Sequence, residues 1–137
     1  MIDSQTAPFA AFVLRVTSGA LFLSHGLTKV FVFTIPGTVG FFESLGFPAL
    51  FAYLVIFAEL AGGLALITGT ATRIAALALI PTLLGATFVH AGNGFSFASQ
   101  GGGWEYPAFW IAVQIAIVFL GSGAFALKLP LQQRWAQ

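Results

Sequence analysis

The sequence predicts an all-α integral membrane protein, a bundle of four transmembrane helices with two longer loops on its outer side. Three observations carry that prediction. First, hydrophobic residues make up 58% of the 137 residues and charged residues only 7%, with a mean hydropathy of +0.97. A soluble domain carries about 25% charged and 45–50% apolar residues, and a water-facing surface needs more charge than nine side chains supply. Second, four stretches have the roughly 20 apolar residues that cross a hydrocarbon core of ~30 Å. Third, the ionisable residues inside those stretches gather on single helical faces. An ordinary soluble enzyme, a nucleic-acid-binding domain and a disordered tail are excluded. The absence of cysteine removes disulfides, thiolate metal sites, Cys-ligated iron–sulfur clusters and thiol exchange by this chain. A net charge of +1 gives no reason to expect nucleic acid as a partner, and the lipid bilayer is the expected one.

The first span covers residues 8–33, with Pro8 acceptable in a first helical turn. Because the N-terminus lacks a positive n-region and Arg15 interrupts the apolar run, no cleaved leader is expected. The second span, 49–68, is entered through Pro48; the third, 72–90, carries Pro81 near its middle; the fourth, 107–127, opens on a proline. The tight turn at 69–71 makes spans two and three antiparallel neighbours. Connections 34–48 and 91–106 are rich in Gly and Phe, and are expected to fold back as re-entrant caps. Residues 1–137 then form a single four-helix domain.

Cytoplasmic span ends are enriched in Lys and Arg. Arg73, Lys128 and Arg134 share a face with the termini, whereas Lys29, Glu43 and Glu105 lie on the other. Both termini are therefore expected in the cytoplasm of a bacterial cell, the protein crossing the inner membrane several times. Trp104, Tyr106 and Trp110 would form the outer aromatic belt and Trp135 the inner one.

At 100° per residue, Arg15, Ser18, Gly19, Phe22, His25, Gly26 and Lys29 fall within an arc of about 120°. Glu59 shares its face with Ala52, Gly62 and Gly63, whose small size suits close helix packing. Ala78, Thr82, Ala86 and His90 recur at intervals of four and read as a close-packing stripe. Arg15 lies ~10 Å inside one end of its span and Glu59 ~15 Å inside the other end of span two. The two are expected to meet as a buried ion pair, either a structural lock or a proton-handling site. His25, Lys29, His90 and Glu105 converge near the outer ends of spans one, three and four. Imidazole, ammonium and carboxylate at a polar–apolar boundary suit a quinone head group, holding its oxygens and handling protons. The same four residues also suit a hydrogen-bond network that only pins the second loop. Two histidines are necessary but far from diagnostic for a b-type haem, which is not expected. No ligand spacing supports a metal.

Several blocks together resemble the DoxX family of small four-helix membrane proteins. They are residues 15–29 (RVTSGALFLSHGLTK), 59–63 (ELAGG), 69–76 (GTATRIAA), 90–95 (HAGNGF) and 103–106 (GWEY). The family's usual ending, a Gly-Pro-Gly turn followed by Ser-x-Asp, is altered here to GSGAFALK at 121–128, with Lys128 near the place of the acid. The resemblance implies membrane redox chemistry: relatives include a subunit of thiosulfate:quinone oxidoreductase and proteins associated with sulfurtransferase and superoxide-detoxifying partners. It also implies that Arg15, His25, Lys29, Glu59, His90 and Glu105 match the family's polar motifs.

The expected function is that of an inner-membrane redox-associated subunit. It would bind quinone and couple a partner oxidoreductase, concerned with thiosulfate or with thiol and oxidative stress, to the quinone pool. The alternative is a non-catalytic scaffold or anchor of a larger complex. A small-solute carrier has less support, because no second broken helix or inverted repeat accompanies Pro81. A homo-oligomer is compatible with either leading reading.

Overall fold

The computed structural model describes residues 3–127. They form five α-helices: α1 (Ala7–Phe31), α2 (Ile35–Ser44), α3 (Ala49–Thr68), α4 (Thr72–His90) and α5 (Glu105–Leu120), with a short 3₁₀ turn at Ala91–Asn93. There is no strand among the described residues. α1, α3 and α4 are each long and apolar enough to cross a membrane, and α5 is a shorter apolar helix. α1 packs on α3, α3 on α4, α4 on α5 and α5 back on α1. The result is a closed up-down-up-down bundle. Its lipid-facing surface carries Val13, Leu54, Phe57, Ile74, Leu84, Phe88, Phe109 and Phe119. In water such a surface would aggregate; in a bilayer it is the solvated face. Lys128, Arg134 and Trp135, on which part of the orientation and the inner belt rested, lie outside the described residues.

α3 and α4 occupy the residues read as spans two and three. The fourth stretch differs: α5 begins at Glu105 and ends at Leu120 rather than running over 107–127. Gly121 and Gly123 stop it, at φ 77° and 65°. That region favours glycine, because a Cβ would collide with the backbone. Connection one, expected only to fold back as a cap, holds a helix, α2, which starts with Pro36 in its first turn and Thr34 Oγ1 accepting from Gly37 N at 3.3 Å.

Register between α1 and α3 is set by glycine. A Cβ on Gly63 would stand 2.8 Å from Leu23 N and 2.9 Å from Gly19 O, and one on Gly26 would stand 2.8 Å from a Leu60 methyl. Small residues let the two backbones touch, the usual basis of close helix contact in lipid. That register corrects the expected Arg15–Glu59 pair. Arg15 stands level with the last turn of α3, two helical turns from Glu59.

Arg15, 0% exposed, donates Nη1 to Leu66 O (2.8 Å) and Ile67 O (2.6 Å), Nε to Ser122 O (2.6 Å) and Nη2 to Ala124 O (2.9 Å). A helix leaves its last four carbonyls without partners, and here each finds one. Ala65 O accepts from Gly69 N and Thr68 O from Leu127 N, both at 2.9 Å, and Arg15 takes the two between. The negative end of the α3 dipole lies against the guanidinium, so its charge is balanced by carbonyls instead of a carboxylate. The same bonds tie residues 121–127 across the end of the bundle as a strap. Ala124 N donates to Pro8 O (2.9 Å), Ser122 Oγ to Thr72 Oγ1 (3.0 Å), and Phe125 meets Phe9 and Phe12 edge-on.

Candidate functional site

The opposite end of the bundle is open inside. A cavity of about 1240 Å³ lies among α1, α3, α4 and α5, beneath α2 and the loop that precedes α5. Its wall is apolar almost throughout. The chemistry-bearing groups on it are His25 and Lys29 of α1, Thr38 of α2, Glu59 of α3, Thr82 and His90 of α4, and Tyr106 and Trp110 of α5. Phe33, Phe41, Leu45, Phe51, Leu54, Phe97 and Tyr106 line the cavity and are also exposed, so it is open at the surface around α2 and the loop before α5.

The cavity exists because α4 presents small residues on this side. Ala78, Thr82, Gly85 and Ala86 line it together with Pro81. The stripe read as a close-packing seam is therefore a cavity wall. Pro81 stays within a continuous α4, and having no N–H it leaves Leu77 O without its helical donor.

Glu59, 4% exposed, receives Lys29 Nζ at 2.8 Å on both carboxylate oxygens. This is the one salt bridge among the described residues. Gly26 makes it possible, since its missing side chain lets α3 approach within one turn of Lys29. The Lys29 carbonyl is in turn approached at 3.0 Å by Thr38 Oγ1 of α2, a hydroxyl also 3.0 Å from Thr34 O. An ammonium has three protons. Two serve Glu59, and the third is left for the cavity.

His90 Nδ1 lies 2.8 Å from Ala86 O. A carbonyl only accepts, so Nδ1 carries the proton, and a neutral ring has its lone pair on Nε2. His25 has no hydrogen-bond partner among the described residues, and its ring lies 5.7 Å from that of Trp110. Trp110 was expected in an interfacial belt but is 6% exposed. It stacks on Phe22 at 4.2 Å and donates Nε1 to Ser18 Oγ at 2.7 Å. Gln114 Nε2 donates to the same hydroxyl, and its fully buried Oε1 has no partner.

Glu105 does not line the cavity. Its carboxylate accepts from Phe97 N at 2.6 Å, while Glu105 N donates to Phe95 O and Trp104 N to Gly94 O, both at 3.1 Å. Asn93 Nδ2 closes the same loop onto Gly101 O (3.1 Å) and Gly102 O (2.9 Å). Three of the four residues expected to converge thus share one cavity; the fourth secures the loop that covers it. Sequence reasoning missed Glu59 as part of the cavity, having assigned it to Arg15. It also missed Trp110 and the phenylalanines of α2. Among the described residues no three His, Asp or Glu side chains are grouped as metal ligands would be.

These features define a helical membrane protein with an apolar cavity, open at the surface, whose wall carries one ion pair and two histidines. The chain belongs to the DoxX family, whose model matches residues 10–92. Over 83 residues it is 42% identical to a protein of Bacillus subtilis (strain 168) named "Putative oxidoreductase CatD". The match takes in 61% of this chain and 60% of that protein, so it spans under two thirds of the relative's length. No solved structure matches the chain.

Proposed function

We propose that the protein is a redox-associated membrane subunit that holds a lipid-soluble quinone in this cavity. One observation carries the reading: a cavity of about 1240 Å³ has apolar walls, a mouth of exposed phenylalanines, and Lys29–Glu59, His25 and His90 on its surface. Drug-sized ligands occupy sites of about 300–1,000 Å³ with a few placed polar groups, so the space suits a ring with part of an apolar tail. Lys29 and His25 have donors for a ring carbonyl, Trp110 and Phe22 supply a flat aromatic wall, and the mouth gives the tail a way into lipid. A quinone carries electron pairs and protons between membrane partners; the chain's part is to bind and orient it. The name of the Bacillus relative supports a redox role.

The partner in this reading is an oxidoreductase or sulfurtransferase subunit. This cysteine-free chain would supply the membrane site and the partner the sulfur or oxygen chemistry. The membrane in this reading is the bacterial inner membrane, with the strap end and Arg73 facing the cytoplasm.

The test is quinone bound per mole of protein purified in mild detergent, measured by mass spectrometry of an organic extract against an unrelated four-span protein. Quinone near one per chain, lost in His25→Ala and Lys29→Ala with folding retained, is the expected result. Quinone at the control level overturns the reading and leaves a structural anchor.

A further inference from the structure

We propose that the cavity selects the reduced, hydroxyl-bearing form of its aromatic ligand over the oxidised form, with His90 as the residue that discriminates. The proposal rests on the reading of the cavity as a quinone site. It follows from what each polar wall group has left to offer once its bonds within the protein are counted.

Lys29 can only donate. Two of its protons go to Glu59, at 2.8 Å each, and the third requires an acceptor from the ligand. His90 is the reverse case. The Ala86 carbonyl fixes the proton on Nδ1, so the neutral ring turns an acceptor, Nε2, toward the cavity segment at Gly102. The ring edge lies beside Gly102, where a Cβ would stand 3.7 Å from Nε2, and Nε2 has no hydrogen-bond donor among the described residues. His25 has no such fixed tautomer, because neither ring nitrogen is bonded within the described protein, and it can match either kind of ligand atom. Tyr106, the remaining titratable group on the wall, carries a hydroxyl that likewise donates or accepts.

The Glu59 oxygens each already take a Lys29 proton, the Thr38 hydroxyl is spent on backbone carbonyls, and the Thr82 hydroxyl can donate or accept. The wall therefore asks for an acceptor beside Lys29 and a donor beside His90. An oxidised quinone ring presents two carbonyl acceptors and no donor, so it satisfies Lys29 and leaves His90 Nε2 unpaired in an apolar chamber. A quinol presents two hydroxyls, each of which both accepts and donates, and satisfies both walls. One extra hydrogen bond to a partly buried acceptor corresponds to roughly a three- to tenfold difference in affinity.

The experiment uses the full chain in lipid nanodiscs and two probes that differ only in oxidation state: a benzoquinone with a ten-carbon tail, and its quinol kept under anaerobic conditions. Both are titrated by isothermal calorimetry at pH 8. The expected result is a Kd roughly three- to tenfold lower for the quinol. The preference should disappear in His90→Leu while both probes still bind. Lys29→Met combined with Glu59→Leu, which strands no charge, should weaken both probes and keep the ratio. Equal affinities, or tighter binding of the quinone, overturn the proposal and leave the cavity reading in place. If neither probe binds the wild-type chain, the cavity reading itself fails and takes this proposal with it. The wild-type ratio decides the matter even if His90→Leu does not fold.

Discussion

Replacing Arg15 should disable the strap end of the bundle without touching the cavity. The guanidinium makes hydrogen bonds of 2.6–2.9 Å to four carbonyls, two on α3 and two on the strap. Hydrogen bonds to a charged group are worth about 1.5–3 kcal/mol each in measured series, but the buried charge also carries a desolvation cost that cancels much of their sum. Arg15→Met leaves four carbonyls with no donor in an apolar setting, each unmet buried acceptor costing about 1–3 kcal/mol. Relief of the buried charge offsets part of that sum, so the net loss is on the order of 3–5 kcal/mol. Arg15→Lys keeps the charge but brings only three protons without the planar fork, so it should lose about half as much. On the scaling for a chain of this size, Arg15→Met lowers the thermal midpoint by on the order of 10 °C. The assay is thermal unfolding in detergent followed by intrinsic fluorescence, with quinone content measured in parallel. A midpoint within two or three degrees of wild type for both variants would refute the lock (the scaling's own scatter is about that size). A second arm tests the register. Arg15 and Glu59 share no bond, so the effects of Arg15→Met and Glu59→Gln should add within about 0.5 kcal/mol. Strong coupling between them would restore the pair that the sequence suggested.

Lys29 and Glu59 should behave oppositely: either single replacement strands a buried charge and costs about 3–5 kcal/mol, whereas Lys29→Met with Glu59→Leu recovers most of the loss. The same melting assay decides it, additive losses being the result that counts against the ion pair. Gly63→Ala should be severe, because its Cβ would meet Leu23 N at 2.8 Å and Gly19 O at 2.9 Å, both backbone atoms that cannot step aside. Overpacking of this kind costs about 1–3 kcal/mol or more. Gly85→Ala, where a Cβ meets nothing within 4 Å, should be neutral or stabilise by about 0.5–1 kcal/mol. Equal melting midpoints for the two glycine variants would remove the close-contact argument. Glu105→Ala, which removes the acceptor of Phe97 N, should speed hydrogen exchange at the Phe97 amide by several-fold while leaving the amides of α3 unchanged; no change at Phe97 would mean the carboxylate does not hold the loop.

What the sequence made legible was periodicity. Seven residues of α1 were placed on one face by angle alone; Arg15, Ser18, Gly19, Phe22 and Gly26 are buried, while Lys29 is half-buried and His25 is exposed. The ends of α3 and α4 were equally readable, because Pro48, the 69–71 turn and the glycine-rich stretch after His90 are local signals. Pairing was not legible, because two helices of known phase can still slide along each other. Gly19 and Gly63 fix that slide through backbone contacts, and Gly26 through the Leu60 side chain, none of which hydropathy encodes. An error of two turns gave Glu59 to Arg15 instead of Lys29. α2 was misread for a different reason. Thr34, Pro36 and the apolar Ile35, Val39 and Phe42 do spell a helix start, but at ten residues it is too short to stand out from an apolar connection.

Small residues on α4 show why the site was harder to read than the fold. Ala78, Thr82, Gly85 and Ala86 are consistent with either a neighbouring helix at close range or an empty space, and periodicity cannot separate the two. The arrangement of the rest of the bundle settles it. At the strap end every carbonyl of the last turn of α3 has a donor, and residues 121–127 are tied to both α1 and α3. At the loop end Lys29 keeps a spare proton, His90 a spare lone pair and His25 both nitrogens. In a medium that offers few hydrogen bonds, polar groups left unsatisfied are costly unless something visits them. Groups with bonding capacity to spare gather on the cavity wall, whereas the last carbonyls of α3 are all met and, among the buried side-chain atoms of the described residues, only Gln114 Oε1, between the two ends, lacks a partner. That contrast is the physical reason to look for the ligand in this cavity and for stability in the strap.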